Sequence, residues 1–165
     1  MATFTQDKSE LKSVCFTGHR DIDVSLAYCI PPLLKSVLRE CIGRGARRFL
    51  AGGAMGFDTL AALCVLELKS EFPFIRLELI LPCKNQAQKW NDINRSIYDM
   101  ILERADSVEY LHESYTASCM HDRNRRLVDE ADAVIAYLAH SGGGTAYTAA
   151  YALKCKKELI NLYDL

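Results

Sequence analysis

The run Leu50-Ala51-Gly52-Gly53-Ala54-Met55-Gly56-Phe57-Asp58 constrains this chain most, because a short apolar stretch ends there in glycines and a helical pattern begins. It reads as strand, tight turn and helix. Glycine lacks a Cβ, so the turn can take φ > 0 and a ligand can approach the main chain. The helix that follows aims its free N–H groups and positive dipole end at the same point, which makes an anion site with phosphate as its usual occupant. The same residues admit a plainer reading, in which the glycines only close a βα turn and Asp58 only caps the helix. The spacing is neither G-x-G-x-x-G nor a P-loop, since no Lys-Ser/Thr follows. Neither fingerprint is met, and no cofactor is called for.

The remainder of the chain repeats this alternation. Ser13 to Thr17 is a β-branched and aromatic run ending at Gly18-His19-Arg20, a strand and its loop. Pro31-Pro32 suit a first helical turn, and Leu34, Val37, Leu38 and Cys41 follow at helical spacing up to Gly43 and Gly45. Arg48 to Ala51 is the second strand; Phe57, Leu60, Ala61, Cys64, Val65 and Leu68 form the clearest helical stripe. A third strand over Ile75 to Leu81 stops at Pro82, and Trp90, Ile93, Ile97, Met100 and Ile101 mark a third helix. Ser107 to Leu111 is a weak fourth strand, and a fourth helix carries Arg123, Asn124, Arg125 and Arg126. Ala133 to Leu138 is the fifth strand; Ser141-Gly142-Gly143-Gly144-Thr145 opens a helix through Lys156, and Glu158 to Tyr163 is the sixth strand.

This alternation means βαβ units, hence an α/β fold: a Rossmann-like three-layer sandwich on a mostly parallel six-stranded sheet, with expected order 3-2-1-4-5-6. At 165 residues the chain reads as one domain, with residues 1–12 a polar N-terminal extension. The net charge of −1 provides no global field for nucleic acid or an anionic membrane. Seven cysteines, none in a C-x-x-C pair, argue against a disulfide framework and a zinc ribbon, and point to a reducing compartment. With no signal-like or membrane-spanning run, the expected location is the cytoplasm. No metal site is expected, and self-association is left open.

In a parallel sheet every strand-to-helix loop opens at the same carboxyl edge, where ligands bind at the switch in strand order. The odd residues therefore converge: Gly18, His19 and Arg20 after strand one; Gly52, Gly53, Met55, Gly56 and Asp58 after strand two; Pro82 after strand three; Arg123 and Asn124 after strand four; Gly142, Gly143, Gly144 and Thr145 after strand five. Glycine turns that open helices, together with arginines able to hold phosphate bidentately, suit a nucleotide-like ligand.

Thr17-Gly18-His19-Arg20, Gly52-Gly53-Ala54-Met55-Gly56-Phe57-Asp58, Pro82 with Trp90, Arg123-Asn124 and Gly143-Gly144-Thr145 together resemble the YspA/YpsA-like branch of the SLOG superfamily. That superfamily groups the DNA-processing protein DprA (Smf) with the LOG nucleotide phosphoribohydrolases. The resemblance covers about Ser13 to Leu162. It implies a Rossmann-like fold, a pocket for a nucleotide or ADP-ribose-like ligand, and a bacterial stress or signalling role. Three functions follow in order of preference: ligand binding or sensing without turnover; N-glycosidic cleavage of a nucleoside phosphate, with Asp58 or His19 as candidate groups; and DprA-like single-stranded DNA binding. The LOG pattern P-G-G-x-G-T-x-x-E is not kept, since Ser141 to Thr148 lacks the proline and has Thr148 in place of the glutamate. The convergence predicts that Arg20→Ala and Arg123→Ala each weaken ligand binding without unfolding the chain. Unfolding of both variants by circular dichroism would make these arginines structural.

Overall fold

In the computed structural model, which describes residues 8–165, strands and helices alternate as the hydrophobic periods require. The strands are β1 (Ser13–Gly18), β2 (Arg48–Ala51), β3 (Arg76–Cys83), β4 (Ser107–His112), β5 (Ala133–Tyr137) and β6 (Glu158–Asn161). Between them run α1 (Ile30–Gly43), α2 (Phe57–Leu68), α3 (Asp92–Arg104), α4 (Cys119–Glu130) and α5 (Gly143–Lys154). All five strand pairings among the described residues are parallel.

Alternate side chains of each central strand point to opposite faces, and this sorts the core into two. Val14, Phe16, Phe49, Leu77, Leu79 and Ile135 pack with α1, α2 and α3. Cys15, Leu50, Ile80 and Val134 pack with Leu127, Val128 and Ala152 of α4 and α5. The result is a three-layer α/β sandwich of the expected class.

The strand order is β4-β3-β2-β1-β5-β6, which corrects the expected 3-2-1-4-5-6 at one strand. β4 lies outside β3 instead of between β1 and β5. It carries Ser107 and Glu109 and is exposed over most of its length, as an edge strand is. β5, buried throughout, takes the central place beside β1. The order therefore reverses between β1 and β5, and the crevice at the carboxyl edge opens there.

Other boundaries shift slightly. β3 continues through Pro82 to Cys83, two residues beyond its expected end, because β2 stops at Ala51 opposite Leu79 and asks no N–H of the proline. β6 gives way to a 3-10 turn over Leu162–Asp164. Of the expected N-terminal extension, residues 1–7 lie outside the described residues. Leu11 is buried and its N–H donates to Arg44 O at 3.0 Å, so the segment before β1 is packed against the end of α1.

Gly56 has φ +77°, and a Cβ there would overlap the backbone carbonyl of Arg20. At Gly43 a Cβ meets nothing within 4 Å. Urea unfolding should therefore find Gly56→Ala destabilised by more than about 2 kcal/mol. Gly43→Ala should be unchanged or stabilised by up to about 1 kcal/mol.

Candidate functional site

A cavity of about 520 Å³ occupies the crevice between β1 and β5. The loop after β1 lines it with Gly18, His19, Arg20 and Asp21; the loop after β5 lines it with His140, Gly142, Gly143, Gly144 and Thr145. Ala54, Asp58, Met120, Arg123 and Asn124 complete it.

α5 begins at this cavity without a side-chain cap. Its N-cap is Gly142, and no acidic residue lies in its first turn. Gly143 takes φ +83° with open space where a Cβ would stand. Among the described residues no group accepts from the N–H of Gly143, Gly144 or Thr145, so the helix presents unsatisfied donors and its positive end to the cavity.

Arg123, on the first turns of α4, is only 5% exposed. Its Nη1 donates to Gly52 O, and its Nε donates to Asn124 Oδ1 at 2.7 Å. Nη2 has only a weak contact with Met120 Sδ at 3.7 Å. A guanidinium carries five N–H groups, so this buried cation keeps donors in reserve on the cavity side. Burial pulls its pKa down from the ordinary arginine value and the charge of Asp58 opposes that. Arg123 thus ties α4 to the turn after β2 as well as lining the cavity. Arg20 is exposed at the cavity rim and has no such ties.

Asp58 does not cap α2, whose N-cap is Gly56. Its Oδ2 accepts the Ala54 N–H at 3.2 Å, and Oδ1 has no hydrogen-bond partner among the described residues. It is 5% exposed. Burial raises its pKa above the usual carboxylate value, with Arg123 and the Ala54 N–H pulling the other way.

His19 Nε2 accepts the N–H of Ala139 at 3.0 Å and of His140 at 3.4 Å. Its ring stacks on His140, with centroids 3.8 Å apart and planes 8° from parallel. A nitrogen that accepts two backbone bonds cannot be protonated without breaking them. Burial, and then the neighbouring His140, lower the His19 pKa.

The first glycine turn serves the interior. A Cβ on Gly18 would overlap Phe57, one on Gly53 would overlap Leu81, and one on Gly52 would come within 2.8 Å of Arg123 Nη1. The first N–H of α2 is taken by His19 O at 3.2 Å. Gly52, Gly53, Met55, Gly56 and Pro82 do not line the cavity. Met55 meets Asn94 of α3, its Sδ accepting from Nδ2 at 3.5 Å. Asp21, Met120 and His140 line the cavity without having been singled out from the sequence. For His140 the signal was there: it lies two residues before Gly142, in the loop that follows the most apolar strand.

The model of the YspA SLOG family matches residues 14–164. The chain belongs to the YspA SLOG family. Similar proteins include UPF0398 proteins. That of Staphylococcus epidermidis, SERP1017, is 30% identical over 111 residues, 63% of this chain and 59% of that protein. The match thus spans under two thirds of that relative's length. A Bacillus pumilus protein is 27% identical over 76% of this chain and 73% of its own length, and a Bacillus thuringiensis protein 24% identical over 93% and 89%. Among solved structures, DNA processing protein A from Helicobacter pylori, described for its single-stranded DNA binding mode, aligns with TM-score 0.63 at 20% identity, over 90% of this chain and 63% of that one. The structural-genomics target TM1055 aligns with TM-score 0.58 at 18% identity, over 90% and 72%. At these identities the likeness is one of fold. Among the described residues no helix is long and apolar enough to cross a membrane, and no group of three His, Cys, Asp or Glu is arranged to hold a metal.

Because the folded pKa of His19 lies below its unfolded value of 6.5, its contribution to stability is complete above pH 6.5 and is lost as pH falls below that. Comparing wild type with His19→Gln isolates this group. The stability difference between the two should shrink between pH 7 and pH 5, and a difference that stays constant with pH would contradict it.

Proposed function

We propose that this chain binds a small phosphorylated ligand of the nucleotide class in the cavity between β1 and β5, with its phosphate at the N-terminus of α5. One observation carries the reading: an uncapped helix start, without an acid to neutralise it, faces the same cavity as a buried arginine with donors to spare. Arg20 supplies a second cation at the rim. Asp21 and Asp58 are acceptors suited to sugar hydroxyls. Binding without turnover, as in a sensor, asks nothing more of the residues present.

Asp58 supports a second reading, N-glycosidic cleavage of a nucleoside phosphate, because burial raises its pKa and one of its oxygens is unpartnered. The glutamate of the LOG pattern would have to be replaced in that role. Thr148 cannot replace it, being buried with its hydroxyl donated to Gly144 O at 2.7 Å. Release of free base from AMP, abolished by Asp58→Asn, would establish turnover. DNA processing protein A is described as binding single-stranded DNA. A strand would need a basic groove, and the other two arginines of α4 are committed elsewhere: Arg125 pairs with Asp122, and Arg126 with Glu109 and Glu130. A small ligand fits this balance of charge better.

Thermal-shift screening with AMP, other nucleoside monophosphates, NAD and ADP-ribose tests the reading. A ligand at about a hundred times its Kd should add about 2.7 kcal/mol of stability. Gly142→Asp is the decisive variant. Gly142 has extended φ and ψ, so an aspartate there caps α5 with its own carboxylate. The variant should be as stable as wild type or up to about 1 kcal/mol more so, yet show no shift with any of these ligands. A full ligand-induced shift in Gly142→Asp would refute phosphate binding at α5.

A further inference from the structure

A second cleft, of about 470 Å³, adjoins the first and shares Arg20 and Met120 with it. Its walls come from the segment between β3 and α3, with Gln86, Lys89 and Trp90, and from the loop between β4 and α4, with Tyr115. These two segments are fastened to each other. The Tyr115 N–H donates to Asn85 Oδ1 at 3.1 Å, and Lys84 pairs with Glu113 at 3.0 Å. Gln86 is held by donation from its Nε2 to Gly53 O at 2.9 Å, and Trp90 is braced edge-on by Tyr98 with centroids 5.2 Å apart. The backbone that carries the cleft, with Gln86 and Trp90, is therefore held in place, although it lies outside the cavity that the glycine turn of α5 serves.

The two halves differ in chemistry. The first offers N–H groups, cations and carboxylates, which suit a phosphate and a sugar. The second offers two aromatic rings, of which Tyr115 is 64% exposed, beside side-chain amides and the flexible thioether of Met120. Rings that stack and amides that reach a heterocycle's edge are the usual means of holding an unpaired nucleobase. We propose that this second cleft is the base subsite, so that a nucleoside monophosphate lies across the shared edge at Arg20 and Met120, with its phosphate at α5 and its base against Trp90 and Tyr115. This rests on the phosphate reading above and adds to it the part of the ligand that confers recognition.

Trp90 is the only tryptophan in the chain, so its fluorescence reports directly on the cleft. The experiment titrates ribose 5-phosphate and the monophosphates AMP, GMP, CMP and UMP into wild type, Tyr115→Ala and Gly142→Asp, following Trp90 emission and, for ribose 5-phosphate, heat of binding. At least one monophosphate should bind about tenfold or more tighter than ribose 5-phosphate and quench Trp90. Tyr115→Ala, at an exposed position, should reduce that advantage to about threefold or less and leave ribose 5-phosphate binding unchanged. Gly142→Asp should lose both ligands. If ribose 5-phosphate binds and no monophosphate binds more tightly, or if Tyr115→Ala keeps the full advantage, the base subsite is overturned while the phosphate site stands. If neither ribose 5-phosphate nor any monophosphate binds wild type, the phosphate reading falls and this proposal falls with it.

Discussion

The buried guanidinium of Arg123, hydrogen-bonded to the carbonyl of Gly52, is the interaction on which the carboxyl edge of this sheet depends. It joins α4 on one face to the turn that leads into α2 on the other. It also explains the glycine at position 52, where a Cβ would press on the guanidinium. Asp58 is buried beside the same charge, which opposes the rise that burial imposes on its pKa. Removing one member of a buried polar set of this kind typically costs about 3–5 kcal/mol, because the remaining groups keep their desolvation penalty. Arg123 therefore belongs to the scaffold through Gly52 and to the cavity through its unspent donors.

Two turns rich in glycine open helices at this edge, and the structure gives them different work. At α2 the first N–H is taken by His19 O, and Asp58 in the first turn offsets the dipole. At α5 neither compensation exists. The positive end left over is the one beside β1, where the strand order reverses. In this chain the first turn is given to packing, while the second leaves its helix donors open to the cavity.

Much of the architecture was legible because burial imposes periodicity. The stripe from Phe57 to Leu68 and the apolar run of β5 gave helix and strand directly. The position of β4 was not legible, since order depends on which strand can tolerate an edge. The exposed Ser107 and Glu109 were the clue. In the site, the sequence brought the right loops together but could not say what fills the space each glycine leaves. Phe57 fills it at Gly18, Leu81 at Gly53 and the Arg20 carbonyl at Gly56. Only contacts far apart in sequence decide that. His140 and Asp21 went unnoticed for a related reason: their loops line one cavity only because β5 pairs with β1.

The most direct test of the central claim, that α5 and not α2 is the anion cradle, is to follow assigned backbone amide resonances while AMP is added. If α5 is the cradle, the largest shifts fall at Gly143, Gly144 and Thr145 and saturate together with that of the Arg123 side-chain Nε–H. Shifts concentrated at residues 53–58 with those of α5 unmoved would contradict it, and would return the anion site to the first glycine turn.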